Sequence, residues 1–482
     1  MSSFASRSLV LLTARLMNQG LLILSPMLLV RLLTVAEYGR YRQFMAAAML
    51  LISTASFSIA SNLNFFVART PELKSRYITN SCLLLALTSG LAVLAVVVGH
   101  PLLLPQDAAA GWPLLALFVA AYLNFDLLQA YWLAQKRSKL VLYYSLGVTI
   151  LRIGAVVGAA AWFHDARAVV LVMAAVETAK MLALFAFLRA KGLLVAQVDR
   201  GALYEQFRFV VPFGIGSALY GLNDNVGKVL VSNSLSVEAL AIYTIAAHQI
   251  PLIPIFNAAV TDVLFPDMVQ RSRRDPRLGL QLWGRGTVVL FMLVCPSWVL
   301  LTYFAEPMIR ILFTDAYVGA TPYFQALMLL LLRNCFSFST ALRSLGHNRP
   351  FIVANAVGIA LNLAIALAFL PTLGLWAPTI GLLISQFWIM FYLARRVLVV
   401  YGLSIPELLA WGSLGRIVMA TAVAFAPLLA CTSLIGQPLG GAVLGIAAFG
   451  LVYLGLLSRM RITEFAYLWD GLRRMLAPAV RP

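Results

Sequence analysis

The segment that most constrains this chain is Phe207–Ser232, FRFVVPFGIGSALYGLNDNVGKVLVS. It is apolar, and longer than the about 20 residues a helix needs to cross a bilayer. Near its middle stand Asp224 and Lys228, four apart and therefore on one helical face. A charge at mid-bilayer costs roughly 2.5–3.5 kcal/mol even on the lenient insertion scale. Such a pair faces protein or a wet cavity rather than lipid. Glycines 214, 216, 221 and 227 thin the segment elsewhere, as in closely packed membrane helices. The expectation is a helix that lines a path.

The rest of the chain is of the same kind. Over 482 residues it is 62% hydrophobic and 11% charged, with a mean hydropathy of +0.90, whereas a soluble domain carries about 25% charged residues. These values predict an all-α polytopic membrane protein. The polar stretches are too short to fold as a separate soluble domain. The four cysteines (Cys82, Cys295, Cys335, Cys431) lie in apolar runs without metal-like spacing, so neither a zinc site nor a disulfide framework is suggested. No P-loop, Gly-rich nucleotide motif or hydrolase constellation occurs. The reading is a non-enzyme with no cofactor and no metal. The first apolar run contains Arg15 and lacks a small-residue cleavage site, which predicts a retained span rather than a signal peptide.

Fourteen apolar runs reach spanning length: 9–33, 43–67, 78–99, 113–134, 140–163, 168–188, 207–232, 238–265, 286–304, 320–342, 351–370, 375–394, 409–433 and 440–457. With a cytoplasmic N-terminus, 25 of the 36 basic residues fall on inner segments, five (Arg31, Arg40, Arg42, Arg167, Arg310) in outer loops and six within spans. That bias puts both termini inside. The net charge of +18 is then mostly topology, with arginines beside anionic lipid heads, and not a nucleic-acid surface.

The chain also repeats itself. Leu33-Thr-Val-Ala-Glu-Tyr-Gly-Arg-Tyr41 matches Leu235-Ser-Val-Glu-Ala-Leu-Ala-Ile-Tyr243, and the stretch from Arg137 matches that from His347, placing Arg152 opposite Asn362. Two matches in one order, half a chain apart, predict a six-helix bundle in 1–200, a second in 201–400, and two further helices and a cytoplasmic tail in 401–482. Because six is even, the halves would be related by an axis along the membrane normal.

Polar residues inside the spans are few. Arg15 either snorkels to the inner head groups or contacts an anion in an inward-open cavity. Arg152, flanked by Gly147, Gly154 and Gly158, sits too centrally to snorkel easily; it lines a cavity or forms a buried pair. Glu177 and Lys180 are three apart and Asp224 and Lys228 four apart, so each couple can pair directly. Pairing lowers the burial cost, so a structural role weighs against cavity lining in both. Asp262 lies near the inner end of its run as a boundary residue. His248 is a titratable group that is more often merely hydrogen-bonded. Arg333-Asn334 occupies the cavity or its inner rim, and Asp126 with Asn124 and Gln129 forms a smaller polar face. The expected cationic cavity is Arg15, Arg152, Lys180, Lys228 and Arg333, and the candidate ion-coupling carboxylates are Glu177, Asp224 and Asp262.

The fourteen runs, the two six-span halves and the corner Leu33–Tyr41 resemble the bacterial polysaccharide-transport family. These are the Wzx-type flippases, within the superfamily that includes multidrug exporters and the lipid II flippase. Ala341-Leu-Arg-Ser-Leu-Gly-His-Asn-Arg-Pro350 and Pro371-Thr-Leu-Gly-Leu-Trp-Ala-Pro378 carry the same resemblance. It implies a V-shaped arrangement of the two bundles in the bacterial inner membrane and alternating access coupled to an ion or the membrane potential. It implies, as partners, an undecaprenyl-diphosphate-linked oligosaccharide, membrane lipids, and the polymerase and export machinery for exopolysaccharide or O-antigen. Asn62 stands where many relatives carry a basic residue. The alternatives are a cation-coupled multidrug exporter and a peptidoglycan lipid II flippase. The excess of basic over acidic groups within the spans favours an anionic head group over a cationic drug.

Overall fold

A computed structural model describes residues 17–466 apart from 19, 58, 106–107, 109–110, 124–126, 136, 196–197, 249–263, 265–266, 273, 348, 435–436 and 461. The described residues form helices and no strands. In chain order they are α1 (Gly20–Leu32), α2 (Val35–Ala55), α3 (Ile59–Arg69), α4 (Lys74–Leu103), α5 (Trp112–Tyr122), α6 (Leu127–Ala134), α7 (Ser138–Phe163), α8 (Ala166–Ala190), α9 (Arg200–Ser234) and α10 (Val237–Ala246). After these come α11 (Pro276–Tyr303), α12 (Ala305–Phe313), α13 (Thr321–Leu327), α14 (Leu329–Asn334), α15 (Phe338–Ser344), α16 (Arg349–Leu373), α17 (Trp376–Tyr401), α18 (Ile405–Leu408), α19 (Trp411–Leu434) and α20 (Pro438–Arg459). Among the described residues, ten helical runs are long and apolar enough to cross a membrane. The fold is thus the expected all-α polytopic one.

The chain divides into two compact units. The first holds residues 1–252, 307–324 and 351–385. The second holds 253–306, 325–350 and 386–482.

In the first unit, α2 starts earlier than its apolar run. Thr34 Oγ1 accepts the N–H of Glu37 at 3.2 Å and caps the helix, a contact worth about 1 kcal/mol. Arg40 and Arg42, read from the sequence as outer-loop residues, therefore lie on the second turn of α2. The matched stretch folds the same way, with Ser236 Oγ accepting the N–H of Ala239 at 3.1 Å at the start of α10. The two capped ends meet. A Cβ on Gly39 would lie 2.2 Å from the carbonyl oxygen of Val237, so only glycine allows α2 to approach α10 this closely. Tyr38 sets its ring edge-on to Tyr317 at 5.9 Å beside this contact. Arg31, at the end of α1, donates to the carbonyls of Ile311 and Leu312 at 2.5 and 2.8 Å, capping the last turn of α12.

The run 43–67 is two helices, not one. α2 ends at Ala55 and α3 begins at Ile59, and between them Phe57 takes a left-handed φ of 43°. That conformation is costly for a bulky side chain. It lays the Phe57 ring against Gly214, where an added Cβ would meet the ring at 2.3 Å. Gly221 admits Ser53 and Gly216 admits Phe351 in the same manner, and Gly227 faces the Tyr243 hydroxyl. Gly214, Gly216, Gly221 and Gly227 of α9 are each a point where a side chain from another part of the unit presses in. Lipid supplies no hydrophobic force between helices, so such van der Waals contacts carry the association. Beyond the apolar segment, α9 continues back to Arg200. There Asp199 caps it through the N–H of Ala202 and pairs with Arg76 at 2.9 Å. That N–H and the Arg76 guanidinium hold the Asp199 carboxyl below the ordinary range.

In the second unit, α19 and α20 pack against each other and α19 against α11. Tyr453 donates to the Met292 carbonyl at 2.6 Å, and Trp283 donates to the Ser337 carbonyl at 3.1 Å. The run 320–342 is not one continuous helix but α13, α14 and α15. At the joins the backbone shortens to three-residue steps, Leu331 N–H to the Met328 carbonyl and Phe336 N–H to that of Arg333.

Gly39→Ala is expected to lower stability by about 1–3 kcal/mol through overpacking at Val237. Gly90→Ala, where the added methyl meets open space, is expected to leave it unchanged. Thermal unfolding of the two purified variants in one detergent checks both.

Candidate functional site

The charges buried among the helices fall into separate clusters. In the first unit, α7 carries Arg152 and α8 carries Glu177 and Lys180. The spacing of three on α8 brings the Lys180 ammonium to 2.6 Å from one Glu177 oxygen. The helix pairing of α7 with α8 brings Arg152 Nε to 3.5 Å from the other. Glu177 is wholly buried, its side chain 0% exposed, with Lys180 at 10% and Arg152 at 20%. The Arg152 guanidinium also lies over the ring of Tyr122 on α5, 5.1 Å from its centre, an attraction that strengthens when desolvated. One carboxylate thus serves two cations, leaving the trio with a formal charge of +1. The sequence spacing anticipates the Glu177–Lys180 pair. Arg152 enters through tertiary packing, and Tyr122 carries no sequence signal toward it.

The second cluster is on α9. Lys228 Nζ lies 3.6 Å from Asp224 and donates to the Asn225 side-chain oxygen at 3.1 Å. The pair is more open than the first, with 28% of Asp224 and 18% of Lys228 exposed. One face of α9 therefore carries an ion pair as its spacing predicts. Another face carries a neutral network that the sequence reading missed. Asn223 bonds Ser385 on α17 at 2.8 Å, and Asn362 on α16 donates to the Asn223 carbonyl and side-chain oxygens, both at 3.0 Å. Gly381 makes room for Asn362, since an added Cβ would sit 2.8 Å from its Oδ1. Asn362 is the residue that the sequence repeat sets opposite Arg152. A polar residue in each copy of a repeat was the signal available for it.

Arg333 belongs to the second unit. Its Nε donates to the Gln386 carbonyl at 3.2 Å and its Nη1 to the Asn334 side chain at 3.1 Å. Arg15, Asp262 and the pair Asn124–Asp126 lie outside the described residues. Among the described residues no group of three or more His, Cys, Asp or Glu side chains is placed to hold a metal ion.

A family described as "polysaccharide biosynthesis protein" matches residues 28–322. No curated protein sequence matches the chain. Among solved structures, a lipid II flippase MurJ in an inward closed conformation superposes with a TM-score of 0.73 at 13% identity, over 96% of this chain and 100% of that one. An inward-facing multidrug resistance MATE transporter of the MOP superfamily gives 0.54 at 13% identity, covering 82% and 99%. A MOP superfamily transporter from Pyrococcus furiosus, described as having a binding pocket of reverse polarity, gives 0.52 at 14%, covering 82% and 95%. At these identities the likeness establishes a shared fold.

Glu177→Gln removes the carboxylate that pairs with Arg152 and Lys180, and is expected to destabilise by about 3–5 kcal/mol. Pairing it with Arg152→Gln is expected to cost less than the sum of the two single changes. A double-mutant cycle of unfolding in detergent reads the coupling. Exchanging Asp224 and Lys228 (Asp224→Lys with Lys228→Asp) is expected to preserve stability. Transport by the exchanged protein then separates a mere pair, which works in either order, from two residues with distinct roles.

Proposed function

This chain belongs to the polysaccharide biosynthesis protein family, and from that premise we propose that it is a flippase for a lipid-linked oligosaccharide. Its cargo is an undecaprenyl-diphosphate-linked repeat unit, moved from the inner to the outer leaflet of the bacterial inner membrane for exopolysaccharide or O-antigen synthesis. The two six-helix halves, 1–200 and 201–400, alternate access to a central chamber, with both termini cytoplasmic and residues 401–482 supplying two added helices. The polymerase and export machinery receive the product.

The observation that carries this reading is the residual positive charge of the Arg152–Glu177–Lys180 trio inside membrane helices. A buried cluster left at +1 favours an anionic partner, and a diphosphate offers charge-assisted acceptors. Lys228, Arg333 and Arg15 are further cationic side chains that we assign to cargo binding. The lipid tail stays in the bilayer while the head crosses. Glu177, Asp224 and Asp262 are the groups we assign to coupling, since a carboxylate that alternates between a cationic side chain and a proton or metal cation links the ion to the cargo. A second reading, translocation of lipid II, draws support from the fold likeness to the lipid II flippase over nearly the whole chain. The two cargoes share the diphosphate and differ in the sugars.

Arg152→Ala, inserted at the wild-type level, is expected to abolish surface polymer; normal polymer would take Arg152 out of the site. Deleting the gene is expected to remove polymer and spare peptidoglycan synthesis. Complementation of a strain depleted of its lipid II flippase would instead favour the second reading.

A further inference from the structure

Residues 307–324 stand apart from their neighbours in the chain. They pack as part of the first unit, yet the chain enters them from 253–306 and leaves them into 325–350, both of the second unit. The segment holds most of α12, a 3₁₀ helix (Asp315–Ala320) and the start of α13. It carries one buried stripe. Ile309, Phe313, Tyr317, Ala320 and Phe324 follow one another at spacings of three or four, the pattern of a single helical face, and each is 5% exposed or less. Between them Arg310, Ile311, Asp315, Ala316 and Gly319 are exposed. The segment is an amphipathic strap with one side laid against the first unit.

Its attachments are specific. Tyr317 stands edge-on to Tyr38 of α2, with ring centres 5.9 Å apart, and Tyr323 meets Trp376 at 4.9 Å. A Cβ on Gly319 would lie 3.8 Å from the Ile242 side chain of α10. The polar fastening is Arg31 of α1. One terminal nitrogen donates to the Met27 carbonyl at 2.5 Å and to that of Leu312 at 2.8 Å, and the other donates to Ile311 at 2.5 Å. Carbonyls in the last turn of a helix lack partners within it, so α12 offers them at no loss. Three features make this docking reversible. Arg31 is exposed, so water can take over each bond it gives up. The Tyr317 hydroxyl is buried without a hydrogen-bond partner, a cost that the docked strap bears and a released one does not. Thr314, which joins α12 to the 3₁₀ helix, takes a left-handed φ of 79°, an unfavourable conformation for a β-branched residue. Burial of the apolar stripe is thus set against two local costs.

We propose that residues 307–324 are a releasable strap, latched onto the first unit by Arg31, that lets go during the transport cycle. This rests on the flippase reading and adds to it a moving part that lies outside the charged clusters. The chain passes into the second unit at both ends of the strap, so release frees 253–306 and 325–350 from this anchor. Arg31 is the latch because its bonds are charge-assisted and reach across from another helix, whereas the stripe supplies only packing. The Tyr317 hydroxyl and Thr314 keep the docked state from becoming permanent.

The test reads how readily the strap opens. In the full-length protein with Cys82, Cys295, Cys335 and Cys431 replaced by serine, a single thiol is introduced by Ala320→Cys, on the buried face of the strap, or by Ala160→Cys, on α7; both alanines are 0% exposed. Modification by a water-soluble maleimide is timed in detergent, alone and combined with Arg31→Gln, Arg31→Lys or Tyr317→Phe. Arg31→Gln removes the charged fastening, and modification at 320 is expected to become at least about 10-fold faster, with Arg31→Lys between. Tyr317→Phe removes the unmet hydroxyl and is expected to slow it about 5-fold. The thiol at 160 is expected to stay unreactive throughout. In cells, Gly319→Cys with Ile242→Cys, joined by a short bis-methanethiosulfonate, is expected to stop polymer export until a reductant opens the bridge. Equal rates at 320 in every folded variant, an equal gain at 160, or export undiminished by the bridge would each overturn the strap and leave the flippase reading intact. Normal polymer from a strain lacking the gene would overturn the flippase reading instead, while the rates at 320 still decide whether the strap opens.

Discussion

The structure depends on how ionised side chains are kept inside a medium that cannot solvate them. Glu177 is the clearest instance. With no exposed surface, it is tolerable as a carboxylate only because cations approach from its own helix and from α7. The two approaches differ in kind. Lys180 lies on the same helix and arrives with the first turns of folding. Arg152 arrives only when α7 docks, so the buried charge also selects the register in which α7 and α8 pack. Asp224 and Lys228 obey the same constraint less strictly. They keep roughly a quarter and a fifth of their surface, and Lys228 spends one of its donors on the neutral Asn225. That ammonium is the less committed of the two buried lysines.

Around these charges, α9 acts as the column against which other helices are set. Its glycines each receive a specific side chain from a neighbour, and its Asn223 is locked by Asn362 and Ser385. The network is neutral, so it fixes register without the desolvation cost of an ion pair. Small residues and amides therefore hold α9 in place. The ionic face of the same helix is left free to do something other than hold the fold together.

Much of this was legible in the residues. Asp224 and Lys228 are helical neighbours by spacing, and the four glycines of α9 had to face something close. The helix starting at Arg349 and the one starting at Trp376 follow their apolar runs to within a few residues at their starts. What escaped was whatever hydropathy does not encode. Arg40 and Arg42 look like loop residues on a hydropathy profile, yet α2 begins where Thr34 caps it. The Thr-x-x-Glu spacing of Thr34 and Glu37 was the readable sign of that start. The break at Phe57 has no glycine or proline to announce it, and its conformation is set by the contact with Gly214. The joins within 320–342 likewise lack a breaker. The pairing of Arg152 with Glu177 spans two helices, and no spacing rule reaches across a loop.

How firmly each buried cation is held differs between the clusters. A transport site must bind and then release, so its resting state leaves donors open or only loosely engaged. By that criterion Arg152, 3.5 Å from Glu177, is the loosely engaged member of its trio, and Lys180, at 2.6 Å, the committed one. Drawing Arg152 toward an anion would leave the buried Glu177 with the cation of its own helix, Lys180. The Arg152–Glu177–Lys180 trio and the Asp224–Lys228 pair both lie within the first unit.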